Sequence, residues 1–148
     1  MMKQKLLPGL FVTAALFMAS CQKDDSSFPE NTWTIDGKKF EATIVKANPA
    51  LALVSASAGN SSLDIQFKTL PTASADFKVS DEPYTKTDVA VKSILSGSIV
   101  YNSIESNGAY VTVRIADGKY TLLMNEILAV NAANVLDTVR ISANIVEK

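Results

Sequence analysis

Few side chains in this sequence are of the types that enzymes use as nucleophiles or bases. The chain has 148 residues, a single cysteine at Cys21 and no histidine. Without histidine, no serine can be paired with the usual base of a nucleophilic site, and a zinc ion lacks its commonest ligands. The composition therefore predicts no catalytic triad and no zinc site, and we expect no cofactor.

Carboxylates are the remaining groups with catalytic potential, because a glycosidase needs only an acid and a base or nucleophile. Asp81 and Glu82 are adjacent and offer too few oxygen ligands to hold calcium by themselves. Glu126, inside the apolar stretch MNEIL, is the least ordinary acid, and even it is compatible with an exposed face. The other acids considered fall in turns or on an exposed strand face: Asp36, Asp117 and Asp64. We therefore expect a solvated acidic surface, no metal site and no enzyme.

Aromatic side chains are the better candidates for ligand contact, since sugar-binding sites stack a ring on the pyranose face. Tyr84 lies in a predicted loop beside Asp81 and Glu82, and Tyr110 faces outward by strand parity. Trp33 opens the stretch WTIDGKKF. The alternative for Trp33 is a core position, and the alternative for the two tyrosines is an ordinary amphipathic surface.

The first twenty residues have the pattern of a secretory signal peptide. Lys3 and Lys5 precede the apolar run Leu6–Met18, and the small residues Ala19 and Ser20 follow it. This run is too short for a membrane-spanning helix, which needs about 20 apolar residues. We assign residues 1–20 to a signal peptide that is cleaved on export.

The sequence Met18–Cys21, MASC, resembles the lipobox of bacterial lipoproteins, with methionine where leucine is more usual. The resemblance implies that Cys21 becomes the lipidated first residue of the mature protein and that acyl chains join the protein to a membrane. Two or more acyl chains give stable anchoring. The alternative is a cysteine that merely lies near an ordinary cleavage point.

The residues after Cys21 predict a tether. Gln22, Lys23, Asp24 and Asp25 resemble the export signal of surface lipoproteins from Bacteroidota. This resemblance implies an outer-membrane lipid anchor at the cell surface, with the periplasmic face as the alternative location. A plain solvated linker is the other interpretation. Residues 21–31 are polar apart from Cys21 and Phe28, contain Pro29, and are expected to form a flexible spacer.

The rest of the chain, residues 32–148, has the period-two alternation of half-buried strands. Leu63, Ile65 and Phe67 share one face, as do Val111, Val113 and Ile115 in a later run. The last strand should bury its own set: Val139, Ile141, Ala143 and Ile145. The strands predicted are Trp33–Ile35, Lys39–Ala47, Leu51–Ala58, Ser62–Leu70, Phe77–Val79, Val89–Leu95, Gly97–Tyr101, Ala109–Ala116, Lys119–Asn125 and Thr138–Glu147.

Turn signals separate these runs, and glycine in them supplies the positive φ of tight hairpins: Asp36-Gly37, Gly59-Asn60, Asn107-Gly108 and Asp117-Gly118. Glu126–Val130 is compatible with either a helical turn or a strand, and Ala132–Asn134 resembles a turn. Short strands at this spacing predict a single all-β domain, an antiparallel sandwich or barrel. With Lys plus Arg 14 against Asp plus Glu 15, nothing in the charge favours nucleic acid as a partner.

The stretch WTIDGKKFEA, Trp33 to Ala42, is similar to the opening of small all-β lipoproteins of Bacteroidota, and it carries no activity with it. The function expected is a non-catalytic binding module at the cell envelope, for glycan or another extracellular ligand. The alternative is a structural or assembly subunit that uses an exposed edge strand to pair with an envelope protein.

Overall fold

The computed structural model describes residues 28–106 and 108–148. The predicted signal peptide, Cys21 and the export residues Gln22, Lys23, Asp24 and Asp25 lie outside the described residues, as does Asn107 of one predicted turn. Within the part described, no helix has the length and apolarity needed to cross a membrane.

The all-β prediction is confirmed. Among the described residues, one 3-10 turn, Pro49–Leu51, interrupts the strands. The strands are β1 (Thr32–Ile35), β2 (Lys38–Glu41), β3 (Ile44–Asn48), β4 (Leu53–Ala58), β5 (Ser61–Phe67), β6 (Ala75–Ser80), β7 (Asp88–Leu95), β8 (Ile99–Ser103), β9 (Tyr110–Ala116), β10 (Lys119–Asn131) and β11 (Asn134–Val146).

Five strands close into a barrel through successive pairings of β10, β9, β6, β7 and β8, with β8 returning to β10. The other strands extend this barrel: β11, β1 and β2 continue from β10, and β5, β4 and β3 continue from β7. One edge of β10 pairs with β11 over Thr121–Asn131. The other edge pairs first with β9, over Lys119–Met124, and then with β8, over Ala129–Asn131.

Along β7, the ladder forks where the pairing with β6 ends, at Ser80 with Ala90, and the pairing with β8 starts, at Asn102 with Lys92. Ser103 lies buried at this fork, where its Oγ donates to the carbonyl of Ser80 at 2.6 Å and accepts from the N–H of Val91 at 2.9 Å. A hydroxyl thus satisfies two backbone groups that the interrupted ladder leaves without strand partners.

Two features of the strand pattern differ from expectation. The β6–β7 pair is parallel, so the domain is not purely antiparallel. The pair is only three residues long, from Lys78 with Asp88 to Ser80 with Ala90, and a short return loop is therefore sufficient. The predicted strand Lys39–Ala47 is divided into β2 and β3, which pair with different neighbours.

The segment Glu126–Val130, for which the sequence was compatible with a helical turn or a strand, is part of a strand. β10 runs through it with a register shift between Met124 and Ile127, and Glu126 takes a positive φ of 43° there. The Ser142 Oγ accepts a hydrogen bond from the Glu126 N–H at 2.9 Å. The predicted turn at Ala132–Asn134 is present over Ala132 and Ala133, and β11 already begins at Asn134.

The core includes the inward faces that the alternation predicted on β5, β9 and β11, although Ile115 is only half-buried, and other strands contribute buried residues as well. Trp33 also lies in the core, fully buried and stacked on Phe40 with ring centroids 5.2 Å apart.

The last four residues of the predicted spacer, Phe28–Asn31, are hydrogen-bonded to the domain. The carbonyl of Phe28 accepts from Asn144 Nδ2 at 2.9 Å, and Asn31 Oδ1 accepts from the Val146 N–H at 2.8 Å. Asn144 is buried although it lies on the face predicted to point outward. The tether therefore meets the domain at a fixed place, beside the C-terminal end of β11.

Candidate functional site

A groove of about 990 Å³ crosses the outer face of β5 and β7, and it is the best candidate for a ligand site among the described residues. Its floor follows from strand register. Asp64 of β5 pairs with Lys92 of β7, and Lys92 pairs with Asn102 of β8. Register partners share a face of the sheet, so the three side chains form one polar row.

Gln66 lies two residues beyond Asp64 on the same face and extends the floor. The structure records no hydrogen bond or ion pair between the side chains of Asp64, Gln66, Lys92 or Asn102 and any other described residue. A carboxylate, an ammonium group and two amides are thus available to a ligand within one surface depression.

One wall of the groove is formed by Asp81, Glu82 and Pro83, at the start of the loop that joins β6 to β7. The loop is held by its own polar groups. Ser80 Oγ donates to the carbonyl of Glu82, and the Thr85 N–H donates to Asp88 Oδ2 at 3.0 Å. These contacts fix the wall without using the Glu82 carboxylate.

The opposite wall is the 3-10 turn Pro49–Leu51 and the residues after it. Asn48 Oδ1 accepts from the N–H groups of Ala50 and Leu51 at 3.1 and 3.3 Å and so caps this turn. Ala52 leaves it in the left-handed conformation, with a φ of 49°. Leu51 is exposed and gives this wall an apolar surface. The sequence analysis placed Leu51 and Ala52 at the start of a strand, whereas the strand begins at Leu53.

Tyr84 lies in the loop beside Asp81 and Glu82, as the sequence analysis predicted, and is 61% exposed, but it is not among the residues that line the groove. Its hydroxyl donates to Asp81 Oδ2 at 3.3 Å, and its N–H donates to the carbonyl of Glu82 at 2.9 Å. The negative charge of Asp81 is the main cause that raises the pKa of Tyr84, with contributions from desolvation, Glu82 and Glu105. The phenol therefore stays protonated, and its one proton is donated to Asp81.

Tyr110 is exposed, as expected, but does not line the groove. It pairs in register with Lys78 on the outer face of β6 and β9, and Lys78 Nζ forms an ion pair with the Glu105 carboxylate. The hydrogen bond and charge of Glu105 raise the pKa of Lys78. The charge of Glu105 also makes a small contribution to the raised pKa of Tyr84.

Trp33 has no exposed surface to offer a ligand. The core position was the alternative given for it, and the structure places it there. Its indole N–H is buried without a hydrogen-bond partner among the described residues, which is consistent with an indole held by packing alone.

The remaining acids lie away from the groove. Asp36 Oδ1 accepts from the Arg140 N–H at 2.7 Å, and Glu126 forms an exposed ion pair with the Arg140 guanidinium at 2.9 Å. No group of three or more acidic, His or Cys side chains in 28–106 and 108–148 is arranged to hold a metal ion.

Sequence reasoning missed Gln66, Lys92 and Asn102 as site residues. Parity along each strand indicates that they point outward, but only the pairing of β5 with β7 and of β7 with β8 brings them together. No family model, no curated protein and no solved structure matches this chain.

Proposed function

We propose that this protein is a membrane-anchored envelope lipoprotein whose β domain is a non-catalytic binding module for glycan, with the groove as its site. The observation that carries the proposal is the row of Asp64, Lys92 and Asn102 beside Gln66, because four polar side chains without described partners share one floor. A sugar hydroxyl can both donate and accept a hydrogen bond. Carboxylates accept such bonds, ammonium groups donate them, and amides do both.

Leu51 and Tyr84 supply the apolar contacts in this proposal. Leu51 gives one wall of the groove an apolar surface. Tyr84 follows Pro83 of the acidic wall and is exposed outside the groove lining, so in this proposal its ring contacts a glycan that extends past that wall. The groove is lined by the carboxylates of Asp64, Asp81 and Glu82 and by Lys68 and Lys92. This near-balance of charge favours a neutral glycan over a strongly acidic one.

The anchor in this proposal is Cys21, lipidated after cleavage of residues 1–20, and Gln22–Asp25 direct the protein to the outer face of the outer membrane. Binding by a tethered module serves to hold an extracellular glycan at the cell surface. The absence of histidine from the sequence supports a role without catalysis.

The test is a glycan array probed with the full-length lipidated protein in detergent, followed by titration of each ligand that binds. Lys92→Ala and Tyr84→Ala should weaken binding, whereas Lys119→Ala, an exposed lysine outside the groove, should not. Incubation with the bound glycan should leave it intact by mass spectrometry. No binding to any glycan, or equal binding by all variants, would refute the sugar assignment, and cleavage products would replace it with a hydrolase.

A further inference from the structure

The end of the β10–β11 hairpin presents two large apolar side chains to solvent. Val135 is 71% exposed and Leu136 is 89% exposed. We call these two residues the apolar knob. They are consecutive in a strand, where neighbouring side chains point to opposite faces, so the hairpin projects beyond the sheet that would otherwise cover one of them.

The knob is a bulge in the hairpin. Val130 of β10 pairs with Thr138 of β11, whereas Asn131 pairs with Asn134. The residues 135–137 therefore have no partner on β10. An insertion of this kind re-aims side chains away from the regular ladder.

The conformation of the bulge is held by side-chain hydrogen bonds. Asp137 points back toward the body of the domain, where its Oδ2 accepts from Asn131 Nδ2 at 2.8 Å and from the Tyr101 hydroxyl at 3.2 Å. Asn134 Oδ1 accepts from the Leu136 N–H at 3.2 Å. These bonds hold Val135 and Leu136 outward before any partner arrives, which lowers the ordering cost of docking them.

The position of the knob separates it from the tether. Phe28 and Asn31 dock against Asn144 and Val146, near the end of β11 opposite to the hairpin. Ten residues of strand separate Asn134 from Asn144, or roughly 30 Å at about 3.3 Å per residue. If Cys21 carries the proposed anchor, the chain from Cys21 to Phe28 spans at most roughly 25 Å, so the knob stands at the pole turned away from that membrane.

The charge around the knob argues against a lipid surface. Residues 93–104 and 128–139, which form the strands next to it, contain no Lys or Arg, and their one charged residue is Asp137. A membrane-binding patch on an anionic leaflet normally carries basic residues. Two apolar side chains without cations match a small uncharged apolar pocket on a protein, where burial of the exposed Leu136 side chain contributes roughly 10- to 100-fold in affinity.

We propose that the apolar knob is a docking site for a second envelope or extracellular protein that receives Leu136 in an uncharged apolar pocket. This goes beyond glycan binding and gives a definite surface to the assembly role. The orientation of the apolar knob away from the membrane depends on the proposed anchor at Cys21. The match between Leu136 and an uncharged apolar pocket does not depend on it.

The experiment places a photoreactive amino acid at position 136 of the full-length protein in its own cells. A crosslinked product is expected, its protein identified by mass spectrometry and purified. Calorimetric titration with that protein should show a loss of roughly 30-fold or more in affinity for Leu136→Asp. Ile44→Asp, a matched change at another exposed apolar residue outside the knob and the groove, should bind as the native protein does.

Three outcomes would overturn the proposal. The first is no discrete crosslink from position 136, or crosslinks only to a second copy of the chain. The second is knob-dependent binding of the Cys21→Ser protein to phosphatidylcholine or phosphatidylglycerol vesicles, which would make the site a lipid contact. The third is equal affinity of Leu136→Asp and Ile44→Asp for the crosslinked protein. Cys21→Ser should leave the measured affinity unchanged, so a failed anchor and a failed docking site give different results.

Discussion

The Glu147 carboxylate accepts a hydrogen bond from the N–H of Ala47 at 3.1 Å, joining the penultimate residue of the chain to β3. Its second oxygen accepts from the N–H of Tyr120 at 3.3 Å. One side chain therefore closes the gap between β3, at one end of the strand order, and the start of β10. The same contact occupies a donor on the outer edge of β3 and so blunts the edge pairing that the assembly alternative first suggested.

We expect Glu147→Ala to lower the free energy of unfolding by about 1–3 kcal/mol, because two partly buried N–H groups lose their acceptor. Urea denaturation followed by circular dichroism measures this. Glu126→Ala is the matched control, since its ion pair with Arg140 is exposed and worth about 0–1 kcal/mol. Equal losses for the two variants would show that Glu147 does not join the strands.

Tyr101→Phe should lower stability by about 1 kcal/mol at neutral pH, because the Asp137 carboxylate loses one of its two donors. Burial, and then the hydrogen bond and charge of Asp137, raise the pKa of Tyr101. Its contribution is thus complete below the unfolded pKa of about 10 and is lost as the pH rises through the higher folded value.

The stability difference between native protein and Tyr101→Phe should therefore narrow above about pH 10. Tyr84 and Tyr120 also have raised pKa values, but they are common to both proteins and cancel in the comparison. A difference that stayed constant or grew at alkaline pH would contradict the assigned protonation of Tyr101.

Trp33, the only tryptophan, should report the core rather than the ligand. We expect blue-shifted fluorescence that acrylamide quenches poorly in the folded protein and strongly in urea. Addition of a glycan that binds the groove should leave the emission unchanged. Sugar-dependent quenching would show that Trp33 contacts the ligand after all.

The mature protein should begin at Cys21 and carry the mass of added acyl chains, because the stretch MASC resembles a lipobox. Intact-mass spectrometry of the protein extracted from membranes measures this. Cys21→Ser should abolish membrane association. Substituting Ala at Lys23, Asp24 and Asp25 together should retain the lipid but protect the domain from protease added to intact cells. A mature protein without lipid would remove the anchor from the proposed function.

Alternation and turn motifs predicted much of the fold, because the face of a strand and the type of a tight turn depend on residues that are close in the sequence. Alternation in SLDIQFKTL placed Leu63, Ile65 and Phe67 inward, and Asp117-Gly118 marked a tight turn with positive φ at both residues. Alternation does not record which strands pair. The closed barrel depends on distant segments packing together, and the parallel direction of the β6–β7 contact depends on the path of the loop between them.

The candidate site was less predictable for the same reason. Tyr84 was recognisable because its acidic neighbours are adjacent in sequence, whereas Lys92 and Asn102 become neighbours of Asp64 only through the register of three strands. Ser103 is a residue whose burial the sequence does not indicate. A serine in a strand is usually exposed, but Ser103 is buried because the ladder forks beside it.

The most direct test of the central claim is the affinity of the lipidated protein for an array-selected glycan, compared among the native protein, Gln66→Ala, Lys92→Ala and Lys119→Ala. Each lost groove hydrogen bond should weaken binding by about 1 kcal/mol, or roughly fivefold, with Lys119→Ala unchanged. Equal affinities for all four proteins would contradict the assignment of the groove as the binding site.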